Sequence, residues 1–170
     1  MPEKTEGFEC RNKLFSFMLD EVRRRERSEK ENLNERIDDY INRSGVTNCE
    51  EIFRIDWRPD LNRDGRREVI VTSGGHLWAT ARSDEWTWVV QETRKGYKVI
   101  LDAGFVAGIE LGRKKYRGYT VLASERHNGG AGFLVGTYIY QKGAYRLSKC
   151  MSYRWNEDGD EEELSSCRLS

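Results

Sequence analysis

The spacing of apolar residues changes once along this chain, and that change constrains the fold more than any motif does. Up to Ile41 the spacing is helical, with Leu14, Phe15, Met18 and Val22 on one stripe and Leu33, Ile37, Tyr40 and Ile41 on a second. Residues 23–32 separate the stripes without one apolar side chain, and Ser28-Glu29-Lys30-Glu31 has the form of a capping box that starts a second helix. A helical hairpin is expected; the alternative is one helix of roughly 35 residues with a polar middle solvated on every side. The run Arg23-Arg24-Arg25-Glu26-Arg27 reads as a solvated turn region, and Asn42 to Gly45 as a C-terminal stop.

After Cys49 the period shortens to two. Strands are expected at 53–57, 68–73, 76–82, 86–93, 97–102, 106–111, 118–125, 133–141 and 145–155, joined by short turns that favour antiparallel pairing. The segments at Glu68, Trp88 and Tyr97 are echoed about fifty residues later at Tyr119, Tyr138 and Tyr145, a shift that suits one four-stranded unit; chance likeness of two amphipathic meanders is the alternative. The fold class is α+β: a helical hairpin over 1–46, then a mainly antiparallel β-meander over 47–170, propeller-blade-like or a sandwich. At 170 residues the two parts are expected to form one structural unit.

Charge excludes some partners. With 29 basic and 29 acidic side chains there is no global field to draw in nucleic acid. No apolar run approaches the ~18 residues of a membrane span. Met1-Pro2-Glu3-Lys4 begins no secretory signal, so export would require that a leader has been removed. The cysteines argue for export. Asp158-Gly159 lies midway between Cys150 and Cys167, and a two-residue hairpin there would place them opposite each other at a non-hydrogen-bonded position, Cα atoms ~4.5 Å apart. Cys150 would then sit on the polar face of its strand, making the bridge a surface clip. Cys10 and Cys49 flank the helical part and meet only if it is a hairpin. Two such bridges imply an oxidising compartment, periplasmic or extracellular; four reduced thiols in a cytosolic protein is the alternative.

One loop carries chemistry. Asp60-Leu61-Asn62-Arg63-Asp64-Gly65-Arg66-Arg67-Glu68 sets oxygen-bearing side chains on alternate positions, with a glycine at the bend, ahead of the β-branched run Val69-Ile70-Val71-Thr72. Calcium takes six to eight oxygens, so Asp60, Asn62, Asp64 and Glu68 through side chains and Arg66 through its carbonyl form a candidate ligand set. An EF-hand would need glutamate where Val71 stands and a helix after it, and has neither. The residue-level alternative is a turn held by its own side-chain-to-backbone hydrogen bonds.

On Asp60, Asn62, Asp64, Gly65 and Glu68 the loop resembles that of FG-GAP or VCBS-type repeats of integrin-α-like and bacterial secreted proteins. More loosely, the stretch from Trp57 to Tyr153 resembles bacterial exported domains in which such a loop precedes a Gly-rich, aromatic-rich meander. The resemblance implies a calcium-stapled β-scaffold used for adhesion or recognition of a protein or carbohydrate partner. Arg63 and Arg67 depart from it, where glycine and proline are common. With Arg58 and Arg66 they place four guanidiniums around three carboxylates, which lowers affinity for a divalent cation or replaces it by ion pairs.

Two further groups bear on function. Trp86 and Trp88 share a strand face and are candidate ligand contacts, against a core reading that strand aromatics usually satisfy. His76 and His127 lie in no metal or triad motif, so a hydrolase using either with a nearby carboxylate is the secondary expectation behind a binding module.

Overall fold

In the computed structural model the described residues are 7–28, 36–73 and 84–167. The expected strand at 76–82, with His76, lies outside them. The chain divides into two compact units, Met1–Arg54 and Ile55–Ser170.

The first unit holds two helices. Asn12 starts α1 (Lys13–Ser28), its Oδ1 accepting from the amides of Leu14 (3.0 Å) and Phe15 (3.2 Å). The chain is extended at Arg36, so the helical part is broken, and α2 (Ile37–Ser44) ends at Gly45 in the left-handed region that glycine adopts without strain. The basic run Arg23 to Arg27 is not a turn: it lies within α1, where Arg24 pairs with Glu21 and Arg23 reaches Asp38 of α2 at 2.6 Å. The start of α2 is not held by a side-chain cap on Arg36. The buried carboxylate of Glu26 accepts from the Ile37 amide at 2.6 Å instead, and burial pushes its carboxyl above the ordinary range. At the other end Cys10 and Cys49 are bridged, Cα atoms 5.0 Å apart. Cys49 opens a single 3-10 turn (Cys49–Glu51), and Phe15 lies 5.9 Å from Phe53 between ring centroids.

The second unit is built from two antiparallel meanders. One sheet has the order β1 (Arg54–Trp57), β2 (Val69–Thr72), β3 (Glu85–Thr93), β4 (Gly96–Val106). The other has the order β5 (Gly108–Tyr116), β6 (Tyr119–His127), β7 (Gly132–Gln141), β8 (Ala144–Trp155), β9 (Glu161–Ser166). Every strand neighbours its successor within its sheet, and the echoed segments fall on β2, β3 and β4 and on β6, β7 and β8. The α+β class and antiparallel meander follow the sequence reading. The expected break at 103–105 is instead a bulge inside β4. There Gly104 has a φ of 67°, Asp102 Oδ1 accepts its amide, and Arg126 donates to the carbonyls of Ala103 and Phe105.

Both sheets contribute to one apolar core, with Ile70, Val89 and Ile100 from the first and Leu122 and Tyr145 from the second. Leu61 joins them from the connection between β1 and β2, fully buried, which is worth ~2 kcal/mol for a leucine.

The Cys150–Cys167 bridge forms with Cα atoms 5.2 Å apart, by a route the sequence did not indicate. The hairpin closes at Asn156 and Asp160 around three residues, Glu157 to Gly159, which shifts the register by one. A bulge between Ser152 and Tyr153 pairings restores it, and the Cys167 amide donates to the Cys150 carbonyl at 3.0 Å, so the position is a hydrogen-bonded one. A second irregularity between Thr137 and Tyr138 pairs Cys150 with Gly136, on the face of Tyr138 and Tyr145. The clip is therefore half-buried, not on the polar face.

Candidate metal centre

The loop is anchored at both ends before any metal is considered. At its base the Glu68 amide donates to the Pro59 carbonyl (2.8 Å). In its middle Leu61 plugs into the core, and the Leu61 carbonyl accepts from Thr120 of β6 (2.8 Å). A buried leucine between two oxygen-bearing neighbours forces Asp60 and Asn62 to the other side of the chain. That is how alternation becomes a cluster.

Within the loop the oxygens turn toward backbone amides. Asp60 Oδ2 accepts from Gly65, Asn62 Oδ1 from Asp64, and Asp64 Oδ1 from Arg66, at 3.1, 3.0 and 2.8 Å. The side-chain-to-backbone turn, the alternative at residue level, is thus present. The Arg66 amide, with Asn62 and then the Arg66 charge, holds the Asp64 carboxyl below its ordinary range. Glu68 is 1% exposed; its Oε2 accepts from the Leu61 amide (2.9 Å) and its Oε1 from Gln91 of β3 (3.2 Å). Asn62 also donates to the Tyr119 hydroxyl, whose ring stacks on Tyr140 at 3.6 Å between centroids. The Tyr140 phenol is pushed up to about 12 by burial first, then by its bond to Tyr119 and the nearby Glu68 charge.

One oxygen is left over. Among the described residues Asp60 Oδ1 is buried without a hydrogen-bond partner, a situation that costs ~1–3 kcal/mol for a polar group and more for a charged one. It sits at the first of the alternating oxygen positions of the loop, where a cation or a hydrogen-bond donor would satisfy it. The donor set of carboxylates, an amide oxygen and a carbonyl suits a hard ion such as calcium. Among the described residues no three His, Cys, Asp or Glu side chains converge on one point, since Glu68 is turned to Leu61 and Gln91. Arg58, Arg63, Arg66 and Arg67 are exposed, and none makes an ion pair among the described residues. They surround the loop without replacing a metal in it. Arg63 takes a left-handed φ of 60°.

The aromatic pair lies elsewhere. Trp86 and Trp88 are 8% and 4% exposed, with rings 6.0 Å apart, and Trp86 Nε1 donates to Asp102 at 2.7 Å. They belong to the interior and offer no face to a ligand, as the core reading has it.

His127, at the end of β6, meets a carboxylate that sequence reasoning did not single out. Asp84 is 2% exposed; its Oδ1 lies 2.5 Å from His127 Nδ1 and its Oδ2 accepts from the His127 amide at 3.0 Å. Facing a carboxylate, Nδ1 is the ring nitrogen placed to donate, and the ring is partly exposed. Ser124, three residues earlier on the strand, bonds to Tyr138 and is not brought to the imidazole. No local pattern marks Asp84, because the pair joins positions 43 residues apart across two sheets. Compared with known proteins, the chain matches no family model, no curated protein and no solved structure.

Proposed function

We propose that the unit Ile55–Ser170 is a calcium-stapled recognition module of an exported bacterial protein, acting in the periplasm or outside the cell. The observation that carries the reading is Asp60 Oδ1, a buried carboxylate oxygen without a hydrogen-bond partner among the described residues, at the head of an alternating oxygen loop. Asp60, Asn62 and Asp64 would hold the ion through side chains, with the Arg66 carbonyl and Glu68 completing the set. Bound there, calcium would supply the positive charge that the loop's oxygens lack, and those residues would fix the path of the chain into β2. The two disulfides fit an oxidising compartment, and the likeness of the loop to those of FG-GAP and VCBS-type repeats supports a β-scaffold used for recognition.

Calorimetric titration of the chelator-treated, non-reduced protein with calcium, with thermal melts alongside, tests this. Binding in the ~0.1–1 mM range of extracellular modules is expected, with a raised Tm that Asp60→Asn abolishes. No heat and no shift at millimolar calcium would sink the reading and leave the loop as a self-bonded turn.

A specific observation favours a second reading. The Asp84–His127 pair would supply the base-and-orienter half of a hydrolytic site, in which Nε2 would activate water. Hydrolysis of activated esters that disappears in His127→Gln would establish it; equal rates in both proteins would dismiss it.

A further inference from the structure

Every residue of β9 is exposed, so the strand adds nothing to the core. It is nevertheless held firmly, by the turn at Asn156, by the Arg154–Glu162 ion pair at 2.7 Å and by the Cys150–Cys167 bridge. As the last strand of its sheet, it presents a row of amides and carbonyls that meets no other strand among the described residues. Carboxylates dominate this edge. Over residues 154–163, Glu157, Asp158, Asp160, Glu161, Glu162 and Glu163 stand against one basic side chain, Arg154. The strand pairing sorts them by face: Arg154 and Glu162 satisfy each other on one, while on the other Tyr153 lies opposite Glu163 and Trp155 opposite Glu161. Trp155 is 46% exposed. Glu161 has no hydrogen-bond or ion-pair partner among the described residues, and Glu163 has the Tyr153 hydroxyl at 3.3 Å. Burial first, then the Glu163 charge and hydrogen bond and the Glu161 charge, push the Tyr153 phenol up, so the field of both carboxylates falls on this face.

We propose that β9 is a docking strand: an extended segment of a partner protein, with lysine or arginine at alternate positions, adds to its open edge as the sixth strand of the sheet. The inference deepens the recognition reading and rests on it for the role of the unit, but not on calcium. Strand addition supplies backbone hydrogen bonds, and the period of two puts every second side chain of the partner on one face. Basic groups there meet Glu161 and Glu163, which are themselves two residues apart on β9. Their stems lie over the Tyr153 and Trp155 rings, where aromatic faces and carboxylates both favour a cation. The sign of the charge also decides what is refused. A second β9 would set glutamate against glutamate, which destabilises a pairing. The opposite edge of the sheet, β5, carries Arg113, Lys114 and Lys115, so a second copy meeting β9 through that edge is the rival occupant.

The test titrates the non-reduced protein, in calcium and in chelator, with a synthetic peptide of about four Lys-Val repeats. The peptide controls have the same composition with the lysines in one block, or carry backbone N-methyl groups on the lysines or on the valines, each of which closes one edge of the peptide strand. The variants are Glu161→Gln with Glu163→Gln on the strand and, as a control for general charge, Glu157→Gln with Asp158→Asn in the turn. Saturable binding, equal in both buffers, is expected. It should weaken about tenfold or more in the strand variant, with the blocked peptide and with one of the two methylated peptides, and stay unchanged in the turn variant. No binding, equal binding of alternating and blocked peptides, or equal losses in the two variants would overturn the docking strand. Self-association of the protein that Lys114→Gln with Lys115→Gln disperses would assign the edge to a second copy and overturn it as well. Calcium uptake without peptide binding leaves the calcium staple standing alone; peptide binding without calcium uptake removes the staple and leaves the docking strand.

Discussion

The connections leading into β2 and β6 occupy equivalent places in the two meanders and are built in opposite ways. Before β6 the chain turns in two residues, Arg117 and Gly118, with φ of 49° and 85°, between the paired Tyr116 and Tyr119. Both central residues are left-handed, the geometry whose twist matches the flanking strands, so the ladder itself holds the turn. Its charges, Arg113, Lys114, Lys115 and Arg117, are exposed, and Arg117 leans on an aromatic ring, 5.4 Å over Tyr116. Before β2 the ladder to β3 ends at Val69, short of the loop. Asp60 to Glu68 is held by carboxylates turned onto amides, by one buried leucine, and by a glutamate sunk beneath it. Acid here is part of the structure; base at the hairpin is surface.

That contrast is tested most severely at Glu68. Glu68→Ala leaves the Leu61 amide without its acceptor, releases Gln91, and hollows the loop's floor, so a loss of about 3 kcal/mol in urea unfolding is expected. Lys115→Ala at the hairpin should change stability by less than about 0.5 kcal/mol. Equal effects at the two positions would mean that the loop is no more structural than the turn.

A smaller pair of changes sharpens the comparison at the backbone. Gly118→Ala forces a side chain into a left-handed residue that the tight turn cannot relax, and should cost about 1 kcal/mol. Arg63→Gly removes the same conflict from the acidic loop, where φ is 60°, and should be neutral or raise stability by a few tenths of a kcal/mol. A destabilised Arg63→Gly protein would show that the arginine side chain is itself holding the loop.

These features differ in how far the sequence disclosed them. The helical stripes, the strand alternation and both cysteine pairings were legible because each depends on local period or on a flank meeting a flank. The Cys150–Cys167 hairpin shows the limit: Asp158-Gly159 marked a turn, but the chain spends three residues there and recovers register with a bulge near Leu164. Turn chemistry identifies the place of a bend more firmly than its length. The loop's oxygens were legible by spacing, and its buried floor was not, since Gln91 reaches Glu68 only through the β2–β3 register. The Asp84–His127 pair depends on which strand end lies over which, a property of packing that one-dimensional pattern does not carry.

The finest distinction between the two connections is their response to acid. Asp64 is held ionised by the Arg66 amide, then by Asn62 and the Arg66 charge, so its folded carboxyl titrates below the unfolded one. A group lowered in this way contributes stability that is complete above the unfolded value, ~4 for aspartate, and is lost as pH falls through the folded value. The wild-type Tm should therefore decline over that acid window by more than the Tm of Asp64→Asn, which has no such proton to take up. Calcium should deepen the decline, because protons and metal compete for the same oxygens. Residues 113–118 of the β5–β6 turn include no carboxylate, and Lys114→Gln should leave the difference untouched. If wild type and Asp64→Asn lose Tm in parallel down to about pH 2, the loop's carboxylate network is not what holds the chain ahead of β2, and the contrast between the two turns reduces to their length.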